Sequence, residues 1–154
     1  MLQNIKKRNE GFTIIEVMIV LAIAGLIMLI VFLAVPALQR NSRNTQYKND
    51  AASLLSAATE WSNNNNGKVP ASANAAAIQS LAKTQNITTL VISAGTSSIT
   101  TSNFNTAYIV TGVKCNTNSG ATASLTTGVA TRAMAMVYAV EDSSGGKVAQ
   151  CTES

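Results

Sequence analysis

Residues 12–35, FTIIEVMIVLAIAGLIMLIVFLAV, decide the fold of this chain. The nineteen residues from 17 to 35 are uncharged and largely aliphatic, and as a helix they extend about 28 Å. That length is close to the ~30 Å hydrocarbon core of a bilayer, where backbone polar groups must bond within the segment. The sequence therefore predicts one membrane-spanning helix near the N-terminus.

The residues before this run are polar and basic. Lys6, Lys7 and Arg8 lie directly in front of the apolar stretch, and positive charge there favours leaving the N-terminus in the cytoplasm. Arg40 and Arg43 on the far side weaken this preference without reversing it. We therefore expect a single membrane pass with the N-terminus in the cytoplasm.

Two simpler explanations of the N-terminal block are a secretory signal and a permanent membrane anchor. A secretory signal has an apolar region of about 7–15 residues and then a small-x-small cleavage site. Here the run is longer, the nearest candidate site is residues 34–37, and a helix-compatible sequence follows it. A permanent single-pass anchor that carries an exported domain stays open as an alternative.

The junction after residue 11 has features that a plain anchor does not need. Gly11 ends the basic leader directly before Phe12, and Glu16 interrupts the apolar stretch. An acidic residue costs about 2.5–3.5 kcal/mol at the centre of a membrane helix and less near an end. The string KKRNEGFTIIEVMIVLAIAGLI, which starts at Lys6, resembles the processing motif of type IV pilins and pseudopilins over residues 6–30.

The resemblance implies a sequence of processing and assembly steps. A prepilin peptidase would cut between Gly11 and Phe12 and methylate the new amine of Phe12. Glu16 would then pair with the Phe12 amine of a neighbouring subunit. This agrees with the physical requirement that a carboxylate among apolar helices has a cationic partner.

The function that follows is structural. The resemblance implies a pilin that polymerises with identical copies, through an inner-membrane assembly machinery, into a surface filament for adhesion, twitching motility or DNA uptake. The resemblance also implies a single-pass precursor in the inner membrane, whose helix is surrounded by lipid before assembly. The alternative is a pseudopilin of a type II secretion system, and a membrane-anchored enzyme is the least favoured class.

One position departs from the family pattern. Many relatives carry a proline at the position of Leu33, whereas this chain has Pro36. Proline lacks an N–H and clashes with the preceding turn, so we expect a kink or a locally melted helix there.

Composition excludes several other functions. The chain has no histidine, which excludes histidine-dependent catalytic arrangements and most zinc sites. No nucleophile–base pair is visible, so no catalytic residue, metal or cofactor is predicted. Removing residues 1–11 leaves 8 basic and 6 acidic side chains, and a surplus of +2 is too small to indicate specific nucleic-acid binding.

The two cysteines have no redox or metal spacing. Cys115 and Cys151 are 36 residues apart, and in an exported head such a pair most simply forms one disulfide. Two separate buried thiols are the alternative. The disulfide arrangement is also similar to the closed C-terminal region of type IV pilins.

The second half of the long helix carries an amphipathic stripe. Its apolar positions fall at helical spacing and are suited to packing beneath a sheet; they are Tyr47, Ala51, Leu54, Leu55, Ala58 and Trp61. Residues 63–67 end the helix, with Gly67 as a left-handed cap and Pro70 preventing its resumption. Arg40 and Arg43 could contact lipid headgroups or acidic neighbours such as Asp50 or Glu60, or be solvated.

The remaining segments predict a small β-rich head. Residues 71–83 favour a short helix with Ile78 and Leu81 facing inward, residues 87–93 favour a strand, and residues 95–102 favour an exposed loop. Residues 106–115 form one strand, the region of Leu125 and Val129 forms a short element, and residues 133–140 pair through a turn with residues 147–151. In residues 133–140, Met134, Met136, Tyr138 and Val140 share one face.

The overall prediction is an α+β, pilin-like fold, in which a long N-terminal helix carries a small antiparallel β-sheet head. The helix is half transmembrane and half packed on the head. The predicted segments are the removed leader (1–11), the transmembrane and assembly helix (12–36), its amphipathic half (37–63), a variable helix-to-sheet region (64–104) and a disulfide-closed antiparallel sheet (105–154).

Overall fold

The computed structural model describes residues 11–154. Their internal contacts divide them into two units, residues up to Gln39 and Arg40–Ser154, which we call the N-terminal unit and the head. The elements in chain order are α1 (Ile14–Asn64), a 3-10 turn (Ser72–Asn74), α2 (Ala75–Ala82), β1 (Thr89–Ala94), β2 (Ser98–Thr100), β3 (Thr106–Thr111), β4 (Val113–Ser119), β5 (Thr122–Thr127), β6 (Met134–Glu141) and β7 (Lys147–Glu153).

The N-terminal unit is the first part of α1. Its most apolar window has a mean hydropathy of 3.2 and is not buried against any other part of the described chain. By length and composition this helix is able to cross a membrane. Its large side chains are exposed from Phe12 to Leu38, so the apolar surface of this unit is uncovered in a single copy of the chain.

Pro36 does not interrupt α1. The helix continues from Ile14 to Asn64 with Pro36 inside it, so the prediction of a locally melted segment is wrong for the isolated chain. One proline removes a single N–H from the hydrogen-bond ladder. The turns on both sides retain their own bonds, and they keep the backbone helical at this position.

The amphipathic stripe of α1 forms one side of the main core. Ala51, Leu54, Leu55 and Ala58 are buried, and Tyr47 and Trp61 pack against them half-buried. This core also contains Ile78 of α2 and one face of a four-stranded sheet. The stripe predicted from the sequence is confirmed.

The strands form two sheets. The four-stranded sheet has the order β1-β3-β6-β7, and the three-stranded sheet has the order β2-β5-β4. All pairs are antiparallel except β1 with β3, which are parallel. The fold is therefore α+β as predicted, with a mixed rather than purely antiparallel head.

The two faces of β6 pack against different layers. Met134, Met136 and Tyr138 belong to the core beneath α1. Ala135 and Val137 belong to a second core, which lies between the four-stranded and three-stranded sheets. The alternation of side chains predicted for this strand is confirmed, and it gives the head three layers.

Two predictions about the strands were wrong. Residues 106–115 are two strands, because Gly112 adopts a φ of 72° and redirects the chain from β3 into β4 in the other sheet. Residues 95–102 include β2, which pairs with β5. Its Thr and Ser side chains suit an edge strand as well as a loop, so composition alone did not separate the two.

The short helix after Pro70 is present but is oriented differently from the prediction. Ile78 is fully buried, as expected, whereas Leu81 is 49% exposed. Eight residues make about two turns, so only one side of α2 reaches the core. Ile78 lies on that side with Ala75 and Ala82, whereas Leu81 lies at its edge and is only half covered.

The end of α1 lies one residue beyond the predicted position, at Asn64. Gly67 has a φ of 74° and its N–H donates to Ser62 O at 2.8 Å, which caps the helix as predicted. Asn66 also adopts a left-handed conformation, with a φ of 56°. Asparagine tolerates this region better than most residues, and the run of four asparagines supplies it.

Candidate processing and assembly site

Gly11 and Phe12, on the two sides of the predicted cleavage point, are both exposed. Apart from the chain neighbours of Gly11, no atom of the described residues lies within 4 Å of the position that a Cβ on Gly11 would take, and Phe12 is 89% exposed. The basic leader residues Lys6, Lys7 and Arg8 lie outside the described residues. Nothing in the described chain therefore shields this peptide bond from another protein.

Glu16 is held by Thr13 at the start of α1. Its Oε2 accepts hydrogen bonds from Thr13 N at 2.9 Å and from Thr13 Oγ1 at 2.8 Å. In return, Glu16 N donates to Thr13 Oγ1 at 3.3 Å. This reciprocal pattern is a capping box, with Thr13 as the N-cap and Glu16 three residues later.

The capping box was missed in the sequence, although its signal is present. Thr13-Ile14-Ile15-Glu16 matches the S/T-x-x-E pattern directly before an apolar run. The carboxylate also lies at the positive end of the helix macrodipole. The hydrogen bonds with Thr13 therefore hold Glu16 in the first turn of α1 without any contact from a neighbouring subunit.

Glu16 lies in apolar surroundings and has no cationic partner among residues 11–154. It lines a shallow depression together with Phe12, Val17, Val20 and Leu21. Within residues 11–154, the only ion pair joins Arg43 to Glu141. The arrangement therefore leaves a carboxylate on an apolar surface, where a cation from another molecule would be stabilised.

The two arginines after the N-terminal unit anchor the turn between β6 and β7. Arg43 Nη2 lies 2.6 Å from Glu141 Oε2, and Arg40 Nη1 donates to Asp142 O at 3.0 Å and also to Ser143 O. Asn44 both donates to Glu141 O and accepts from Glu141 N, each at 2.8 Å.

These contacts replace the acidic partners that the sequence suggested. Arg43 pairs with Glu141 instead of Asp50 or Glu60, and Asp50 is occupied elsewhere. Its Oδ2 accepts from Asn86 N at 2.7 Å and from Ile87 N at 3.1 Å. Local sequence patterns carry no signal for these pairings because they join positions far apart in the chain.

Asp142 organises the turn itself. Its Oδ1 accepts from Ser144 Oγ at 2.7 Å, Ser144 N at 2.8 Å and Gly146 N at 2.7 Å. The hydrogen bond from the Ser144 side chain, followed by that from the Gly146 N–H, lowers the pKa of Asp142. The turn predicted at residues 143–146 is thus closed by the residue that precedes it.

Cys115 and Cys151 form the predicted disulfide, which links β4 to β7. Their Cα atoms are 5.8 Å apart, within the range usual for disulfides. Both side chains pack against the second core. The described residues contain no group of three or more His, Cys, Asp or Glu side chains placed to hold a metal ion.

The comparison with protein families agrees with the geometry of this junction. Residues 6–32 match the prokaryotic N-terminal methylation motif. This motif is the type IV pilin and prepilin signature, and it supports a pilin-like or pseudopilin precursor. No curated protein and no solved structure matches the chain.

Proposed function

We propose that this chain is a pilin, the structural subunit of a type IV pilus. The observation that carries the proposal is the methylation motif at residues 6–32, followed by an uncovered apolar helix with Glu16 in its first turn. The precursor lies in the inner membrane with its N-terminus in the cytoplasm. After processing, identical copies polymerise into a surface filament.

Processing changes the charge at the start of the helix. Hydrolysis of the Gly11–Phe12 bond by a prepilin peptidase leaves a carboxylate on Gly11 and a free amine on Phe12. An α-amino group has a pKa of about 8 and is largely protonated at neutral pH. Methylation of this nitrogen retains the positive charge, so the mature chain begins with a cation.

Assembly pairs this cation with Glu16 of a neighbouring copy. Thr13 engages Oε2 of Glu16, and no hydrogen bond to Oε1 is present within residues 11–154. Oε1 is therefore available to accept a hydrogen bond from the amine. Pairing removes the free-energy cost of an isolated carboxylate among apolar helices. It therefore favours the relative position of two subunits in which the amine and Glu16 meet over positions in which the helices are shifted along one another.

The test is mass spectrometry of filaments sheared from cells that express the chain. We expect an N-terminal peptide that begins at Phe12 and carries a methyl group on its nitrogen. A full-length protein that stays in the membrane, in cells with no filaments that depend on it, would overturn the proposal.

A pseudopilin of a secretion system is the alternative, since the same motif occurs in that class. The β4–β7 disulfide and the absence of a cluster of acidic ligands in the described C-terminal turn support the pilus. Deletion of the gene separates the two functions. Loss of surface filaments with normal protein secretion supports a pilus, and the reverse supports a pseudopilin.

A further inference from the structure

β1 is an edge strand of the four-stranded sheet, and within residues 11–154 no strand pairs with its outer side. Thr89 N donates to Asn105 O at 3.0 Å, which directs the odd-numbered residues of β1 toward β3. Neighbouring residues of a strand direct their backbone groups to opposite edges. The N–H and C=O groups that face outward form no backbone hydrogen bond with the described residues; they belong to Leu90, Ile92 and Ala94.

β1 lacks the features that usually protect an exposed strand edge. Natural edge strands carry charged residues, prolines or bulges, which prevent pairing with other chains. Residues 89–94, TLVISA, contain no charge and no proline, and their register with β3 is continuous. The opposite edge of the sheet differs, because β7 carries Lys147 and Glu153 and is linked to β4 by the disulfide. β1 is therefore the edge of this sheet that is suited to accept another strand.

Each face of the sheet offers an apolar environment next to this edge. A cavity of about 480 Å³ lies beside the C-terminal half of β1, where Ile92 and Ala94 line it and residues 69–72 form the other wall. On the opposite face, Val91 is 39% exposed beside Tyr108, its partner in the register with β3. Side chains of an added strand point alternately to the two faces. One of them would enter the cavity and the next would cover Val91.

Lysines lie near both ends of this edge. Lys68 directly precedes the wall formed by residues 69–72, and Lys83 lies six residues before β1. Both side chains are exposed, and neither forms an ion pair within residues 11–154. Asp50, the acidic residue that contacts the segment before β1, is engaged by three hydrogen bonds from that segment. Pairing of two β1 edges would bring lysines together in either direction, so like charges disfavour a second copy and favour an acidic partner.

We propose that the outer edge of β1 binds an extended peptide segment of another protein by strand addition. Backbone hydrogen bonds to the three outward-facing residues supply affinity, and the cavity and Val91 select apolar side chains at alternate positions. Acidic residues at the ends of the peptide lie near Lys68 and Lys83. This binding function belongs to the head, and it is compatible with a pilus subunit and with a pseudopilin alike.

Fluorescence anisotropy with the detergent-solubilised full chain tests the inference. The probe is a short labelled peptide in which valine and threonine alternate and glutamate occupies both ends. Two control peptides carry N-methyl groups on alternate residues, one along each edge of the extended peptide. Only one edge faces β1, so we expect the unmethylated peptide to bind and the affinities of the two controls to differ by at least about tenfold. Equal affinities of all three peptides, or no saturable binding of the unmethylated one, would overturn the inference.

Variants of the chain locate the binding edge. Val91→Lys places a charge beside the added strand and should lower the affinity for the peptide at least about tenfold. Asn118→Lys adds the same charge at an exposed position of β4 and should leave the affinity unchanged. Lys68→Glu should lower it about two- to fivefold, the range for one exposed ion pair. A reducing gel shift of the Cys115–Cys151 bond checks that each variant folds, and equal affinities of the two lysine variants would contradict the proposed edge.

The same measurements identify a different occupant of the edge. Self-association of the chain that Val91→Lys removes, in the absence of peptide binding, would assign the edge to a second copy and overturn the inference. Peptide binding that persists in Val91→Lys and disappears at high salt would reflect attraction to lysines alone, and it would also overturn the inference. Because the chain is measured in detergent, neither outcome depends on whether it forms filaments.

Discussion

Glu16 has a local role in a single chain and a proposed role in assembly. In the isolated chain its Oε2 completes the capping box with Thr13, which stabilises the first turn of α1. This local role does not require a neighbouring subunit. The cost of the carboxylate on an apolar helix remains, however, and the described residues place no cation beside Glu16 to offset it.

Glu16→Ala should therefore separate membrane insertion from assembly. The substitution makes the helix more apolar, so insertion persists, while the partner for the Phe12 amine is lost. We expect the protein in the membrane fraction at normal levels and filaments lost or strongly slowed, measured by immunoblots of membrane and sheared fractions.

Thr13→Ala is the matched control for the local role of Glu16. It weakens the cap by about 1 kcal/mol and leaves the carboxylate in place. Filaments should still form in this variant. Normal filament yield from Glu16→Ala would remove the pairing mechanism, and equal losses from both variants would assign Glu16 a capping role only.

The lowered pKa of Asp142 predicts that the stability of the head depends on pH. Its pKa is lowered by the hydrogen bonds from Ser144 and Gly146, so its contribution to stability is present above the unfolded-state pKa. It is lost as the pH falls through the lower, folded-state pKa, below about pH 4. Thermal unfolding of the detergent-solubilised chain should show a smaller acid-induced loss for Asp142→Asn. An unchanged loss would mean that other carboxylates control acid unfolding.

At the scale of elements, long periodic segments could be predicted and short polar ones could not. The stripe of α1 and the alternation of β6 follow from the spacing of apolar residues, which burial enforces. The spacing of apolar residues does not predict β2 or the exposure of Leu81. β2 forms by pairing with β5, and the exposure of Leu81 depends on which part of α2 the sheet covers. Gly112 could have signalled the break between β3 and β4, since glycine in a strand often marks a change of direction.

The β6–β7 turn is anchored on α1 by contacts between residues far apart in the sequence, which local sequence patterns do not predict either. Asn44→Ala removes two hydrogen bonds to the backbone of Glu141, and at about 0.5–1.5 kcal/mol each the loss should be about 1–3 kcal/mol. Arg43→Ala removes only an exposed ion pair and should cost at most about 1 kcal/mol. Chemical unfolding of both variants measures the difference, and a larger loss from Arg43→Ala would contradict this ranking.

The disulfide joins the two sheets and should be the strongest single constraint on the head. Closing a loop of 36 residues is worth about 3–4 kcal/mol in the chain-entropy model. Cys115→Ser with Cys151→Ser should lower the unfolding free energy by that amount, and reducing agent should do the same to the unaltered chain. A double variant as stable as the oxidised protein would show that strain in the native state offsets the entropic gain.

At the scale of the whole molecule, the two units have different requirements for stability. The head has two cores of its own, and every residue in them lies between Tyr47 and Cys151. The N-terminal unit has no buried large hydrophobic side chain in a single copy. It therefore needs lipid or other copies of itself to cover its apolar surface.

This difference predicts the behaviour of a chain that starts at Arg40. Because both cores and the disulfide are retained, the shortened chain should fold, remain in solution and form the Cys115–Cys151 bond. It should be monomeric, since the large exposed apolar surface lies in the part of the helix that is removed. Size-exclusion chromatography and a reducing gel shift measure both properties. An unfolded or aggregated product would show that the head depends on residues before Arg40, and filaments from it would show that the apolar helix is not required for polymerisation.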